Sequence, residues 1–144
     1  MTQHIFTLRT NWTGGRNDVG TLQAERLSTA ISIPPEMGGP GVGTNPDEML
    51  LGAAATCYII SLAAMLEHSN IQATLHMTSE GKVDVTNGVF TYEQITHHLH
   101  MRLDEMNERH ARIATRLAHK AEQTCMISKA LKGNVKMELK LKVE

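Results

Sequence analysis

Residues 43–70, GTNPDEMLLGAAATCYIISLAAMLEHSN, constrain this chain more than any other stretch. Asn45 is a natural helix N-cap, Pro46 suits the first helical position and Glu48 falls at the third. Asp47 and Glu48 also sit at the positive end of the helix dipole. From Met49 to Leu66 the apolar residues run nearly all the way round, so the helix must be covered on several sides. Gly52, Thr56 and Ser61 interrupt the run, and two carboxylates lead it, which suits a buried helix better than a membrane span. One small sheet and one further helix cover such a surface poorly. A second copy of the chain covers it better, so a two-fold homodimer is expected.

The elements around this helix are strands, with one more helix. The stretch 4–12, HIFTLRTNW, reads as a strand, 13–20 as a turn and 21–33 as the returning strand of a hairpin. PPEMGGPGVG at 34–43 must be a loop. After Asn70, residues 72–85 and 89–103 are β-rich, and Asn87-Gly88 between them is a strong hairpin signal. Helical spacing returns over 107–131, where Ala114, Leu117, Ala118, Ala121 and Cys125 recur every three or four positions. Gly133 then ends the helix. VKMELKLKV at 135–143 alternates, with Val135, Met137, Leu139, Leu141 and Val143 on one side. The expected architecture is a single α+β domain, an antiparallel sheet packed on a long central helix and a second helix.

A length of 144 residues suits one such domain. Aromatics make up 3% and there are nine methionines, so the core is aliphatic and Met fills its gaps. A formal net charge of −1 gives nothing to steer the chain to nucleic acid or an anionic membrane. MTQHIFTLRTNW has no apolar core long enough for a signal peptide, so a cytoplasmic location is expected. There, two cysteines are free thiols or a working redox pair rather than a structural staple.

Those cysteines are the reactive candidates. Cys57 falls on the stripe Leu50, Ala53, Ala54, Ile60, Ser61 and Ala64, expected to face inward. Cys125 lies on the inward stripe of the second helix. Periodicity leaves two readings open: separate core fillers, since free Cys is often buried, or a working pair. Of the eight histidines, His98 and His100 share one strand face, with His97 pointing the other way. No paired Cys or carboxylate pattern completes a closed metal site around them. GGPGVG lacks the Lys and the strand-to-helix context of a phosphate loop.

Three blocks, in order, carry a resemblance. They are TGGRND at 13–18, PPEMGGPGVGTNPDEMLLGAAATCY at 34–58 and AEQTCMISKAL at 121–131. Together they make the chain resemble the OsmC/Ohr family of osmotically inducible and organic-hydroperoxide-resistance proteins, over nearly its whole length. The resemblance implies a two-layer α+β fold in an intertwined homodimer. It also implies thiol-dependent reduction of organic hydroperoxides, hydrogen peroxide being a second candidate. By motif, Cys57 matches the peroxidatic cysteine and Cys125 the resolving one. Arg16 matches the arginine that activates the thiol, and Asp47 the carboxylate that orients it, with Glu48 an adjacent candidate. The chain departs from the pattern in having Asp47 for the usual Glu, and Glu122 and Met126 where His and Pro are common. It is also poor in the aromatics that line the family's pocket, which marks a divergent OsmC-like branch.

The chemistry explains why these residue types are wanted. Only the thiolate attacks a peroxide oxygen, and burial disfavours it, so a fixed cation such as Arg16 must compensate. The implied cycle runs from Cys57 thiolate to sulfenic acid to a Cys57–Cys125 disulfide, which an external dithiol reduces; a lipoyl-type reductant is the family expectation. It requires no metal or organic cofactor. Asp47 precedes Cys57 by ten residues, about 15 Å along a straight helix, so a site using both is expected to be shared between two subunits. The alternatives are a non-catalytic redox sensor, an apolar-ligand-binding protein of the same fold, or a cysteine hydrolase with a histidine base.

Overall fold

The computed structural model describes residues 1–144, which form two compact units, 1–49 and 50–144. The first unit holds a three-stranded antiparallel sheet in the order β1 (Arg9–Asn11), β2 (Gly20–Gln23), β3 (Ser28–Ile31). The expected strand over 4–12 shrinks to three residues because its partner is short. Arg9 already pairs with Gln23, the last residue of β2, leaving residues 4–8 without a neighbour. The expected single strand over 21–33 is two strands, divided by a turn in which Ala24 N–H donates to Leu27 O at 2.6 Å. Residues 34–43 are a loop containing one 3-10 turn, Pro35–Met37. The buried Ser32 staples that loop, its hydroxyl donating to Val42 O and accepting from Val42 N–H.

Helix α1 (Pro46–His68) starts as the sequence dictates, with Asn45 Oδ1 accepting from Glu48 N–H at 2.9 Å. In the second unit, β4 (Ala73–Thr86) and β5 (Val89–Leu103) form a long antiparallel hairpin. Its turn needs left-handed backbone at two residues, and Asn87 (φ 51°) and Gly88 (φ 74°) supply it. A bulge between Lys82 and Val83 shifts the register. The last strand, β6 (Lys136–Val143), adds to β5 in parallel, so this sheet is mixed rather than purely antiparallel. A parallel neighbour needs a crossover, and α2 (Glu108–Thr124) and α3 (Met126–Leu131) provide it.

The expected single helix over 107–131 is thus two. Cys125 sits between them in extended conformation (φ −65°, ψ 146°). Thr124, Cys125 and Met126 include no Gly or Pro, and buried Ser128 continues the three-residue spacing, so periodicity hides the break.

The core of this unit joins α1 (Tyr58, Leu62, Leu66), β5 (Leu99, Met101, Leu103) and α2 (Ala114, Leu117, Ala118, Ala121). The small alanines of α2 bring its backbone close, and Tyr58 Oη donates to Ala118 O at 2.9 Å. The inward stripe of α1 is Ala54, Tyr58, Leu62 and Leu66, one position on from the stripe expected from the Cys57 face. Ala53, Ile60 and Ala64 lie exposed instead. A helix apolar nearly all round carries no moment to fix its rotation, so the cross-sheet packing fixes it.

Candidate active site

The two cysteines are far apart in sequence and adjacent in the fold. Both are free thiols, with Cys57 half-buried and Cys125 buried. Cys57 extends from the middle of α1, and Cys125 from the break between α2 and α3. The break turns Cys125 out of helical geometry and leaves the first N–H groups of α3 without intrahelical partners. Cys57 packs against the core cluster that contains Cys125, close enough for each thiol to perturb the other's ionisation.

Their environments push them apart. Burial pushes the Cys57 thiol up, but the Ile127 N–H, the Cys125 thiol, the Met126 N–H and the Ser61 hydroxyl together bring it below its ordinary value. The two backbone N–H groups and the Ser61 hydroxyl are donors to a thiolate, and the single Cys125 S–H serves either Cys57 or Ser128, so the set favours the charged form. Burial pushes Cys125 up, Ser128 opposing it and the neighbouring Cys57 adding to it. The Cys125 Sγ–H donates to Ser128 Oγ at 3.0 Å. The arrangement thus makes Cys57 the more acidic of two neighbouring thiols, and the more acidic thiol is the more readily ionised.

The other sequence candidates lie in the first unit. Arg16 donates from Nη2 to Met37 O at 3.0 Å and from Nη1 to Asn17 Oδ1 at 2.8 Å. Asp47 is half-buried in the first turn of α1. The Glu48 carboxylate accepts from Thr44 Oγ1 at 2.8 Å, which ties it to its own helix start.

Sequence reasoning missed several groups. Ser128, three residues from Cys125, accepts from its sulfur, and Ser61, one turn from Cys57, helps lower that thiol; their i, i+3 and i, i+4 spacing was the available signal. The backbone donors of Met126 and Ile127 carry no side-chain signal. His97 points into the core, as expected from alternation, and stacks on Tyr58 with centroids 5.1 Å apart. Its Nδ1 meets Ser79 Oγ at 2.7 Å, while Nε2 has no partner, and burial pushes its pKa down. His98 and His100 lie on the opposite side, against Glu80 at 2.7 Å and Glu144 at 3.2 Å.

Comparison with known proteins identifies the family. The sequence model of the OsmC-like protein family matches residues 38–140. The uncharacterized protein YmaD of Bacillus subtilis is 54% identical over 100% of this chain and 97% of its own length. An organic hydroperoxide resistance protein of Xanthomonas axonopodis pv. citri is 29% identical over 95% of this chain and 94% of its own. The crystal structure of an organic hydroperoxide resistance protein from Legionella pneumophila superposes with a TM-score of 0.74 at 26% identity, covering 99% of this chain and 100% of that one. The chain belongs to the OsmC-like protein family, among relatives of the OsmC and organic hydroperoxide resistance proteins.

Proposed function

We propose that this protein is a thiol-dependent peroxidase that reduces organic hydroperoxides. The observation that carries the reading is the pair of free thiols brought together in one core cluster, Cys57 pushed down and Cys125 pushed up. The names of the Xanthomonas and Legionella relatives support the substrate class. The Cys57 thiolate attacks the distal peroxide oxygen, the O–O bond breaks and an alcohol leaves. Cys57 becomes a sulfenic acid, Cys125 displaces its hydroxyl to form the disulfide, and an external dithiol restores both thiols.

The same reading assigns Arg16 as the cation that holds the thiolate and the peroxide, and Asp47 or Glu48 as its carboxylate partner. It makes the working form a two-fold dimer, closed over the exposed face of α1 that carries Ala53, Ile60 and Ala64, with the arginine supplied across the two-fold.

The test is consumption of a dithiol driven by an alkyl hydroperoxide, with hydrogen peroxide as comparison. Cys57→Ser abolishes turnover, Cys125→Ser stops it after sulfenic acid formation, and Arg16→Ala slows it at least tenfold, the effect of about one pKa unit or more. Unchanged consumption in Cys57→Ser refutes the assignment. Oxidation to the disulfide without dithiol-driven turnover makes the protein a redox sensor instead.

A further inference from the structure

Cys125 is the less acidic of the two thiols, yet it must lose its proton to close the disulfide. Its Sγ–H donates to Ser128 Oγ, a hydroxyl that is itself buried. Ser128 also lines a cavity of about 220 Å³, shared with Glu122, Lys132, Val135 and Met137. A volume of that size holds several waters at about 30 Å³ each. The buried hydroxyl and a carboxylate one helical turn before Cys125 thus border the same water-accessible space.

We propose that Ser128 and Glu122 form the proton route of the resolving cysteine, Ser128 touching the reacting sulfur and Glu122 accepting the proton through it. The inference rests on the peroxidase reading for its physiological step and on geometry for the relay. A hydroxyl both accepts and donates. Ser128 Oγ takes the thiol proton while its own proton passes through cavity water to Glu122. Ser128 is then left donating to the Cys125 thiolate. The thiolate attacks the Cys57 sulfur, the S–S bond forms and the S–O bond breaks. The expelled hydroxide takes a proton from solvent and Glu122 later returns one, so one water is released and no net proton is consumed.

The surroundings of Glu122 suit a proton acceptor. Burial pushes its carboxyl up, His119 one turn back on α2 opposing this. Tyr58 of α1 faces it as a phenol held protonated, chiefly by its burial, with the Glu122 and Cys125 charges adding to this. Lys132, between α3 and β6, is the remaining charged group around the cavity, the β6 side contributing Met137. A base with a raised pKa binds the proton more firmly, which suits a proton acceptor.

The step can be entered without any peroxide. Capping Cys57 with an aromatic disulfide reagent leaves a Cys57–thionitrobenzoate mixed disulfide, and Cys125 attack releases the second thionitrobenzoate. Wild-type release is expected to be flat with pH between the ionisations of Glu122 and Cys125, and to fall below the former. Glu122→Gln loses the plateau, slows near neutrality about tenfold, and rises about tenfold per pH unit, as free thiolate attack does. Glu122→Asp keeps the plateau, and Ser128→Ala loses it. A Glu122→Gln profile that matches wild type in rate and shape overturns the relay. A parallel arm replaces the capping reagent with an alkyl hydroperoxide. If Cys57 stays reduced there while Glu122→Gln still slows thionitrobenzoate release, the peroxidase reading fails and the relay stands.

Discussion

At the scale of single residues, hydrogen-bond direction decides the chemistry. Cys57 is set in an aliphatic helix, where burial alone raises a thiol. It is brought down by donors that α3 and α1 present to it. Ser61 is one of these, so Ser61→Ala is expected to raise the Cys57 pKa, read from thiolate absorbance or alkylation rate against pH. The fold should be unaffected, because Ser61 is only half-buried on α1. His97 shows the converse case. It is buried with Nε2 unpartnered, and burial pushes its pKa down. The unfolded chain therefore binds a proton that the folded one refuses. Its contribution to stability is complete above an unfolded histidine pKa of about 6.5 and is lost as pH falls toward the lowered folded value. Urea unfolding from neutral to acid pH should show that decline. His97→Phe keeps a ring against Tyr58 and should flatten it.

At the scale of elements, the break between α2 and α3 is the feature on which the site depends. Cys125 already has the φ and ψ of a residue before proline, and exposed Met126 occupies the first position of α3. Met126→Pro is thus expected to leave thermal stability unchanged or slightly higher. It also removes one N–H from the Cys57 thiolate, so the thiol pKa should rise. A melting temperature several degrees lower would contradict the backbone argument. The start of α2 gives a separate check. Asn107 Oδ1 accepts from His110 N–H at 2.8 Å, and Asn107→Ala should cost about 1 kcal/mol by denaturant titration.

At the scale of the whole molecule, α1 has more apolar surface than one chain covers. Tyr58, Leu62 and Leu66 are buried, while Ile60 on another face is 62% exposed beside small residues. Under the proposed dimer, Ile60→Glu should reduce the particle mass in sedimentation from two chains to one and lower peroxide turnover with it. A mass of two chains in the variant would place the interface elsewhere. The helix also has the length and composition to cross a bilayer, but its inward stripe is spent on a sheet and a helix with an ordered aliphatic core.

Much of this was legible in the residues. Asn45 and Pro46 announced the start of α1, Asn87-Gly88 the hairpin, Gly133 the end of the crossover, and the alternation in 135–143 the last strand, because each reports a local backbone requirement. Three ordered blocks carried the family and named both cysteines. The rotation of α1, the break at Cys125 and the parallel pairing of β6 were not legible. A helix apolar on every side has no preferred face until neighbours choose one. A break that preserves the three-residue spacing leaves no trace in periodicity. Strand direction follows from the crossover, which local pattern does not specify. The sequence by itself determined which segments are helix and strand, and which two sulfurs are candidates for reaction. Only the tertiary structure brought those sulfurs together and gave them unequal acidity, because acidity depends on donors that arrive from other elements.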